Sequence, residues 1–535
     1  MNDREKEILM DEKRTCGILL HPTSLPGKFG IGDIGPQAYR FVDFMVETGQ
    51  SHWQILPLGH TGYGNSPYMC LSTFGGNPYL ISLEKLVDDG LLDVADIDNP
   101  PDFPRNRVDY GQAISYKMPL LAKSLEKFKE KSSTKYPDDF YIFSETNAFW
   151  LEDYALFMSL KEAHDGRVWT EWEEGAANRD LDALVQWRNR LADNIQFWKY
   201  LQYIFFEQWL ALKTYCHAKG IRIIGDVPVY VAHDSAEVWA HRKQFHLDEQ
   251  GNPLVVAGVP PDYFSATGQR WGNPIYRWDM MAKKGYRWWT DRFRTNFTLV
   301  DVVRLDHFRG FQAYWEIPAT EPTAVRGRWV KGPAIALFNA VKEVLGDVPM
   351  IAEDLGIITP EVDNLREQFG FPGMRILQMA FGSDPKAGEY RPHNHIANCV
   401  VYTATHDHNT TVGWFTAEPG TQTTQTAEEV RKEREYALRY VGTDGSQIHW
   451  DFIRLVLGSV AKLAIYPLQD VLGLGPESRM NLPGTPQGNW EWRFSEDILS
   501  PDIGGKLREL TIVYDRFPVS AGEEINHPVL DVKEV

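Results

Sequence analysis

Short apolar runs rich in Val, Ile and Leu recur along the chain, each bounded by turn residues and separated by segments whose apolar positions repeat at helical spacing. Eight can be read: Gly17–Leu20, His52–Leu56, Ile221–Asp226, Val302–Asp306, Met350–Glu353, Met374–Met379, Cys399–Thr403 and Ala464–Leu468. Between the first two, residues 36–45 place Ala38, Phe41, Val42 and Met45 on one helical face, with Pro36 suited to the first turn. Apolar strands alternating with helices predict βα units on a parallel sheet. Eight units predict an α/β fold, a (β/α)8 TIM barrel.

A barrel needs only about 250 residues, whereas the chain has 535. The surplus is expected as large insertions at the C-terminal rim of one catalytic barrel spanning 1–535, with no separate C-terminal β domain. One insertion, roughly 60–215, reads as mainly helical, with Asn189–Trp198 a clear helical stretch. A second, roughly 230–298, reads as a hairpin near 247–253 followed by an aromatic loop over 257–274. The Thr/Gln-rich stretch 420–426 reads as an exposed loop.

Charge narrows the partners. The formal net charge is −18 and no stripe of Lys and Arg appears, which disfavours nucleic acid and anionic membrane surfaces. No run of eighteen apolar residues suggests a membrane span. The opening segment alternates acids and bases without an apolar core, so no leader is expected. Four cysteines, none in a CxxC pair, suit a reducing compartment, and the expected location is cytoplasmic. The 18 Trp, 23 Tyr and 27 Phe often sit beside Gly, Pro and Asn. Flat rings in polar loops suit the apolar face of a sugar.

A barrel builds its active site at the C-terminal ends of its strands. There the third run ends in Asp226, the fourth in Arg304 and Asp306, the fifth in Glu353 and Asp354, and the seventh leads to His406, Asp407 and His408. Arg304 and Asp306 lie two apart, so on a strand both point to one face, where the guanidinium can orient the carboxylate. One acid after a strand is usually a helix cap or a rim ion pair. Four acids embedded in apolar strands argue instead for a site holding one ionised and one protonated carboxyl. Glycoside cleavage asks for that pair.

Other motifs read less well. Gly30, Gly32 and Gly35 form GxGxxG before a helix, but a loop separates them from the first strand and no ribose-binding acid closes the second. His406 with His408, and His393 with His395, lack the remaining spacing of a metal site, and Asp248–Gly251 lacks the alternating acids of a calcium loop. Neither metal nor cofactor is expected, and no GxSxG motif suggests a serine nucleophile.

Over nearly its whole length the chain resembles the amylomaltases, the 4-α-glucanotransferases or disproportionating enzymes related to the α-amylase clan. The resemblance rests on Gly17-Ile-Leu-Leu-His-Pro-Thr-Ser-Leu-Pro26, Gly64-Asn-Ser-Pro-Tyr68, Gly225-Asp-Val-Pro-Val-Tyr230, Arg304-Leu-Asp-His-Phe-Arg-Gly310, Ala352-Glu-Asp-Leu-Gly356, Tyr402-Thr-Ala-Thr-His-Asp407 and Arg479-Met-Asn-Leu-Pro-Gly-Thr485. It implies Asp306 as nucleophile, Glu353 as general acid/base and Asp407 as the acid that stabilises the transition state. It also implies that Asp226, Arg304 and His406 hold the glucose beside the cleaved bond. Tyr68, Ser66, Gln269, Trp271 and Asn481 are implied as further substrate contacts, and Tyr263 with Phe264 as part of a loop over the cleft.

One departure stands out: the family's usual His-Asp-Asn-Asp-Thr is here His406-Asp407-His408-Asn409-Thr410. His408 is therefore expected to bring its own pH dependence. The implied reaction is a retaining double displacement that moves α-1,4-glucan segments from a donor to the 4-hydroxyl of an acceptor glucan or glucose. Its partners would be maltooligosaccharides, amylose or other α-1,4-glucans. The alternatives are an α-1,4-glucan hydrolase and a catalytically silent glucan-binding protein. The sequence leaves the oligomeric state open.

Overall fold

The computed structural model describes residues 13–131, 136–261, 265–418, 426–485 and 487–518. All eight predicted strands are present, as Thr15–Leu19, His52–Gln54, Arg222–Val227, Val302–Leu305, Met350–Ala352, Gly373–Ile376, Cys399–Tyr402 and Leu463–Pro467. They are called here the first to eighth barrel strands. Each pairs in parallel with the next except the fifth with the sixth, and the eighth pairs with the first. Between the fifth and sixth, the Ala352 N–H donates to the Pro372 carbonyl at 2.9 Å and closes the ring. The strands are almost wholly buried, which is why their sequences are apolar runs without polar alternation. The sixth is shorter than predicted, because Leu377–Ala380 turns into a 3-10 helix.

The helix Pro36–Glu47 buries the predicted face of Ala38, Phe41, Val42 and Met45. The packing of the loop ahead of this helix explains the glycine motif. A Cβ on Gly32 would lie 2.1 Å from the Pro22 carbonyl oxygen, and one on Gly30 would strike the Phe103 ring. Close packing requires these glycines, and Asp33 Oδ1 accepts from the Gly35 amide ahead of the helix.

Between the second and third strands stands the helical insertion, dominated by Tyr110–Glu130, Ala148–Ala163 and Ala192–Ala218. The predicted helix at 189–198 is broken: Leu191 caps the end of Leu181–Arg190 and the start of Ala192–Ala218. Many aromatics serve this core rather than a sugar surface. Trp169 and Trp209 are buried within it below 2% exposure, and Trp239, equally buried, packs on its Phe157 and Trp172 from beyond the third strand.

The segment read as an aromatic loop carries strand at both ends. Val255–Val259 and Gln269–Pro274 pair antiparallel and join Ala313–Pro318 and Arg328–Lys331 in a four-stranded sheet. The turn at 247–253 is present, with a bridge between Leu247 and Pro253. After the eighth barrel strand the described chain carries helices, ending with Pro501–Val513, and no further β-strand.

Candidate active site

The third and fourth barrel strands align Asp226 directly opposite Arg304. This register makes their ion pair a product of the barrel itself: Arg304 Nη1 lies 2.6 Å from Asp226 Oδ2 and 3.1 Å from Asp306 Oδ1. The same-face prediction for Arg304 and Asp306 therefore holds. Arg304 is buried; dehydration opposes its charge, but Asp226 and Asp306 hold its proton more firmly than usual. Tyr68, carried by the segment after the second strand, donates its hydroxyl to Asp226 Oδ2 at 2.9 Å.

Glu353 begins where the fifth strand ends. Its carboxylate accepts from two backbone amides, His307 N–H at 2.7 Å on Oε2 and Leu355 N–H at 2.8 Å on Oε1. Burial nevertheless pushes Glu353 up to about 7, with the Asp306 charge adding to it against Arg304 and those amides. Burial also raises Asp306, to about 6, with Arg304 as the main opposing influence. Glu353 is thus the better proton holder of the pair.

Asp407 is arranged for the opposite state. Burial alone would raise it, but His406 and Asn481 together hold it well below the usual carboxylate range. His406 Nε2 lies 3.3 Å from Asp407 Oδ2, Asn481 Nδ2 donates to Oδ1 at 2.6 Å, and Arg479 donates to the Asp407 carbonyl at 2.6 Å. Dehydration pulls His406 down, yet the Asp407 charge and hydrogen bond outweigh it, and the imidazole titrates above its ordinary value. The His406 ring stacks on Tyr68 at 5.2 Å, and Trp490 packs against both.

The other expected contacts fall in different places. Ser66 Oγ accepts from the Tyr68 amide at 3.2 Å and so supports the turn that presents Tyr68. Gln269 Oε1 accepts from Trp271 Nε1, and Trp271 meets the His307 ring edge-on at 4.9 Å. Tyr263 and Phe264 lie outside the described residues. Asp354, adjacent to Glu353, joins a separate buried network with Arg366, Arg375 and the Met374 amide. His408 is hydrogen-bonded through Nδ1 to Thr405 Oγ1 at 2.7 Å, and burial lowers it to about 4. It is neutral near pH 7, which removes the titration expected of it there.

Sequence reasoning missed three contributors. Trp490 and the His307 amide carry no local signature, because their roles depend on contacts across the barrel. The third is Asp470, fully buried after the eighth strand. It accepts from Thr403 Oγ1 at 2.6 Å, Thr411 N–H at 2.7 Å and Thr411 Oγ1 at 2.8 Å, clasping both ends of the loop that carries His406 and Asp407.

A family model described as 4-alpha-glucanotransferase matches residues 20–499. The chain belongs to that family. It is 50% identical over 516 residues to the 4-alpha-glucanotransferase of Thermus thermophilus, covering 95% of this chain and 100% of the relative. It is 48% identical over 511 residues to that of Synechocystis, covering 95% and 99%. The solved amylomaltase of Streptococcus agalactiae, in complex with acarbose, superposes with a TM-score of 0.89 at 38% identity, covering 95% of this chain and all of that one. The amylomaltase of Corynebacterium glutamicum, at 19% identity and a TM-score of 0.76, supports the fold. The 4-α-glucanotransferase reading of the motifs is thereby borne out, and the chain is an enzyme that transfers α-1,4-glucan segments. No helix among the described residues is long and apolar enough to cross a membrane.

Proposed function

We propose that the enzyme works by retaining double displacement, with Asp306 as nucleophile, Glu353 as acid and then base, and Asp407 as stabiliser of the transition state. The observation that carries this reading is the unequal pair: Asp306 sits against Arg304, whereas Glu353 is held by two backbone amides and keeps its proton to higher pH. Asp306 attacks the anomeric carbon as Glu353 protonates the departing glycosidic oxygen, leaving a glycosyl ester on Asp306. Glu353, now a carboxylate, takes the proton of an acceptor 4-hydroxyl as that oxygen attacks the ester-bound carbon. The ester breaks, Asp306 is released ionised and Glu353 is reprotonated. Asp407, ionised by its partners, accepts hydrogen bonds from sugar hydroxyls as positive charge develops on the ring.

Asp226, Arg304, His406 and Tyr68 form one hydrogen-bonded and stacked wall suited to the glucose on the donor side. Trp271 and Gln269 are assigned to the acceptor side of the same cleft, Ser66 to support of Tyr68, and Asn481 to Asp407. Maltooligosaccharides and amylose fit as donors and acceptors. Four free thiols agree with a cytoplasmic enzyme.

Maltotriose supplies the test. Transfer yields glucose together with a ladder of longer oligomers, whereas glucose and maltose alone would overturn it in favour of hydrolysis. With a Glu353→Gln variant and an activated donor, mass spectrometry is expected to find a glycosyl adduct on Asp306; an adduct on another residue would overturn the assignment.

A further inference from the structure

The stretch from Arg304 to Gly310 contains a buried cation that the mechanism leaves unused. Arg309 opens the short helix Arg309–Gln312, just beyond Asp306, and is 7% exposed. Burial lowers its pKa, and no acid among the described residues offsets that effect. A guanidinium buried without a carboxylate is costly unless its donors and its flat face are otherwise engaged. Here Nη1 donates to the Ile357 carbonyl, and the guanidinium lies 3.7 Å from the centroid of the Trp329 ring. Trp329 is held in turn by the rim sheet, in register with Trp315, whose ring meets it edge-on at 5.2 Å.

Ile357 belongs to the loop that follows Glu353. That loop turns at Gly356, whose φ is 81°, and brings the Leu355 amide to Glu353 Oε1 at 2.8 Å. The three residues after Asp306 reach this strand end in succession. His307 N–H donates to Glu353 Oε2 at 2.7 Å, Phe308 N–H to the Glu353 carbonyl at 3.1 Å, and Arg309 to the Ile357 carbonyl. One segment therefore orients both carboxyl oxygens, Oε2 directly and Oε1 through the loop that Arg309 holds. Lys386 Nζ donates to the adjacent Ile358 carbonyl at 3.2 Å, so the loop is tied at two successive carbonyls, and Arg309 is the tie from the Asp306 segment.

We propose that Arg309, stacked on Trp329, is a positioning residue that fixes the 355–357 loop and with it the Leu355 hydrogen bond to Glu353, so that the rim sheet braces the carboxyl that transfers the proton. This rests on the assignment of Glu353 as acid and base. Lysine at position 309 would keep the charge but could not both donate in the guanidinium plane and stack flat on the ring.

A donor whose leaving group needs no proton separates this role from general support of the fold. Maltotriose requires a protonated Glu353, whereas α-maltosyl fluoride forms the glycosyl ester by expelling fluoride. Arg309→Met is expected to lower maltotriose kcat about tenfold, with KM and the first-turnover release of fluoride each kept within about twofold. Arg309→Lys should fall between Arg309→Met and the unaltered enzyme, and Trp329→Ala should act in the same direction as Arg309→Met, more weakly. Equal losses on the two donors, or an unchanged maltotriose kcat, would overturn the proposal. Trp329 is 39% exposed, so if Arg309→Met does not fold, Trp329→Ala decides by the same two outcomes. Glu353→Gln is the control, expected to lose maltotriose transfer while retaining the first release of fluoride. Equal loss in that control would overturn the assignment of Glu353 and the proposal with it, a failure distinct from one confined to the Arg309 and Trp329 variants.

Discussion

The backbone N–H of His307 donates to Glu353 Oε2 at 2.7 Å from a residue held at a φ of 49°. The left-handed turn directly after Asp306 thus aims an amide at the Glu353 carboxyl, so one strand end places Asp306 and orients Glu353. Such a φ is strained for side chains branched at Cβ, at a cost of roughly 1–3 kcal/mol, but easy for glycine. His307→Gly is therefore expected to keep the amide in place and retain much of kcat, whereas His307→Val lowers both Tm and kcat. Thermal melts with maltotriose kinetics check the order; Val equal to Gly in both would show that the turn does not orient Glu353.

The carboxyl pair predicts the pH profile. In the proposed mechanism attack needs Asp306 ionised, so kcat/KM is expected to rise as pH climbs through about 6, and proton donation needs Glu353 protonated, so it is expected to fall as pH passes about 7. Because the two groups titrate as a pair, both limbs belong to the pair. A narrow bell is expected, and Glu353→Gln should remove its alkaline limb along with a factor of roughly 10²–10⁴ in rate. An alkaline limb that persists in the residual activity of Glu353→Gln would assign it to another group.

His408 is expected to leave that profile alone. Burial keeps its imidazole neutral at the pH of the bell, and its Nδ1 is engaged by Thr405. His408→Asn, which restores the usual residue of the family at that position, should change the rate without moving either limb. A shift of the acid limb in that variant would show that His408 titrates with the site after all.

The barrel was legible because strands buried on both faces must be continuous apolar runs, and Asp226, Asp306 and Glu353 were legible because a charge closing such a run is hard to explain structurally. Even so, Asp354 has the same sequence signature as Glu353 but serves Arg366 and Arg375, a distinction that depends on the neighbouring strand and helix. The rim sheet was missed because Gln269–Pro274 carries Gly, Asn and Pro in a strand only partly buried, and Arg328–Lys331 is mostly exposed and polar. The aromatic excess suggested a sugar surface, whereas much of it fills the helical insertion. Tyr68 was found through its motif, but the Trp490 ring packed against it joins from a segment more than four hundred residues away in sequence.

Asp470 offers a test of how the Asp407 loop is held. Three donors from Thr403 and Thr411 converge on its fully buried carboxylate, on either side of His406 and Asp407. Removing the acceptor leaves the Thr411 amide and two hydroxyls unpaired in the interior, at a cost of about 1–3 kcal/mol for each group that finds no substitute. Asp470→Ala is expected to lower Tm and, because the loop loses its clasp, to reduce kcat more than it raises KM for maltotriose. Asp470→Asn preserves the shape and lets the threonine hydroxyls turn to accept, so it should recover a large part of both. If Asp470→Ala lowered Tm while leaving kcat intact, the clasp would be a support of the barrel alone and the loop would hold its geometry through Asn481 and Arg479.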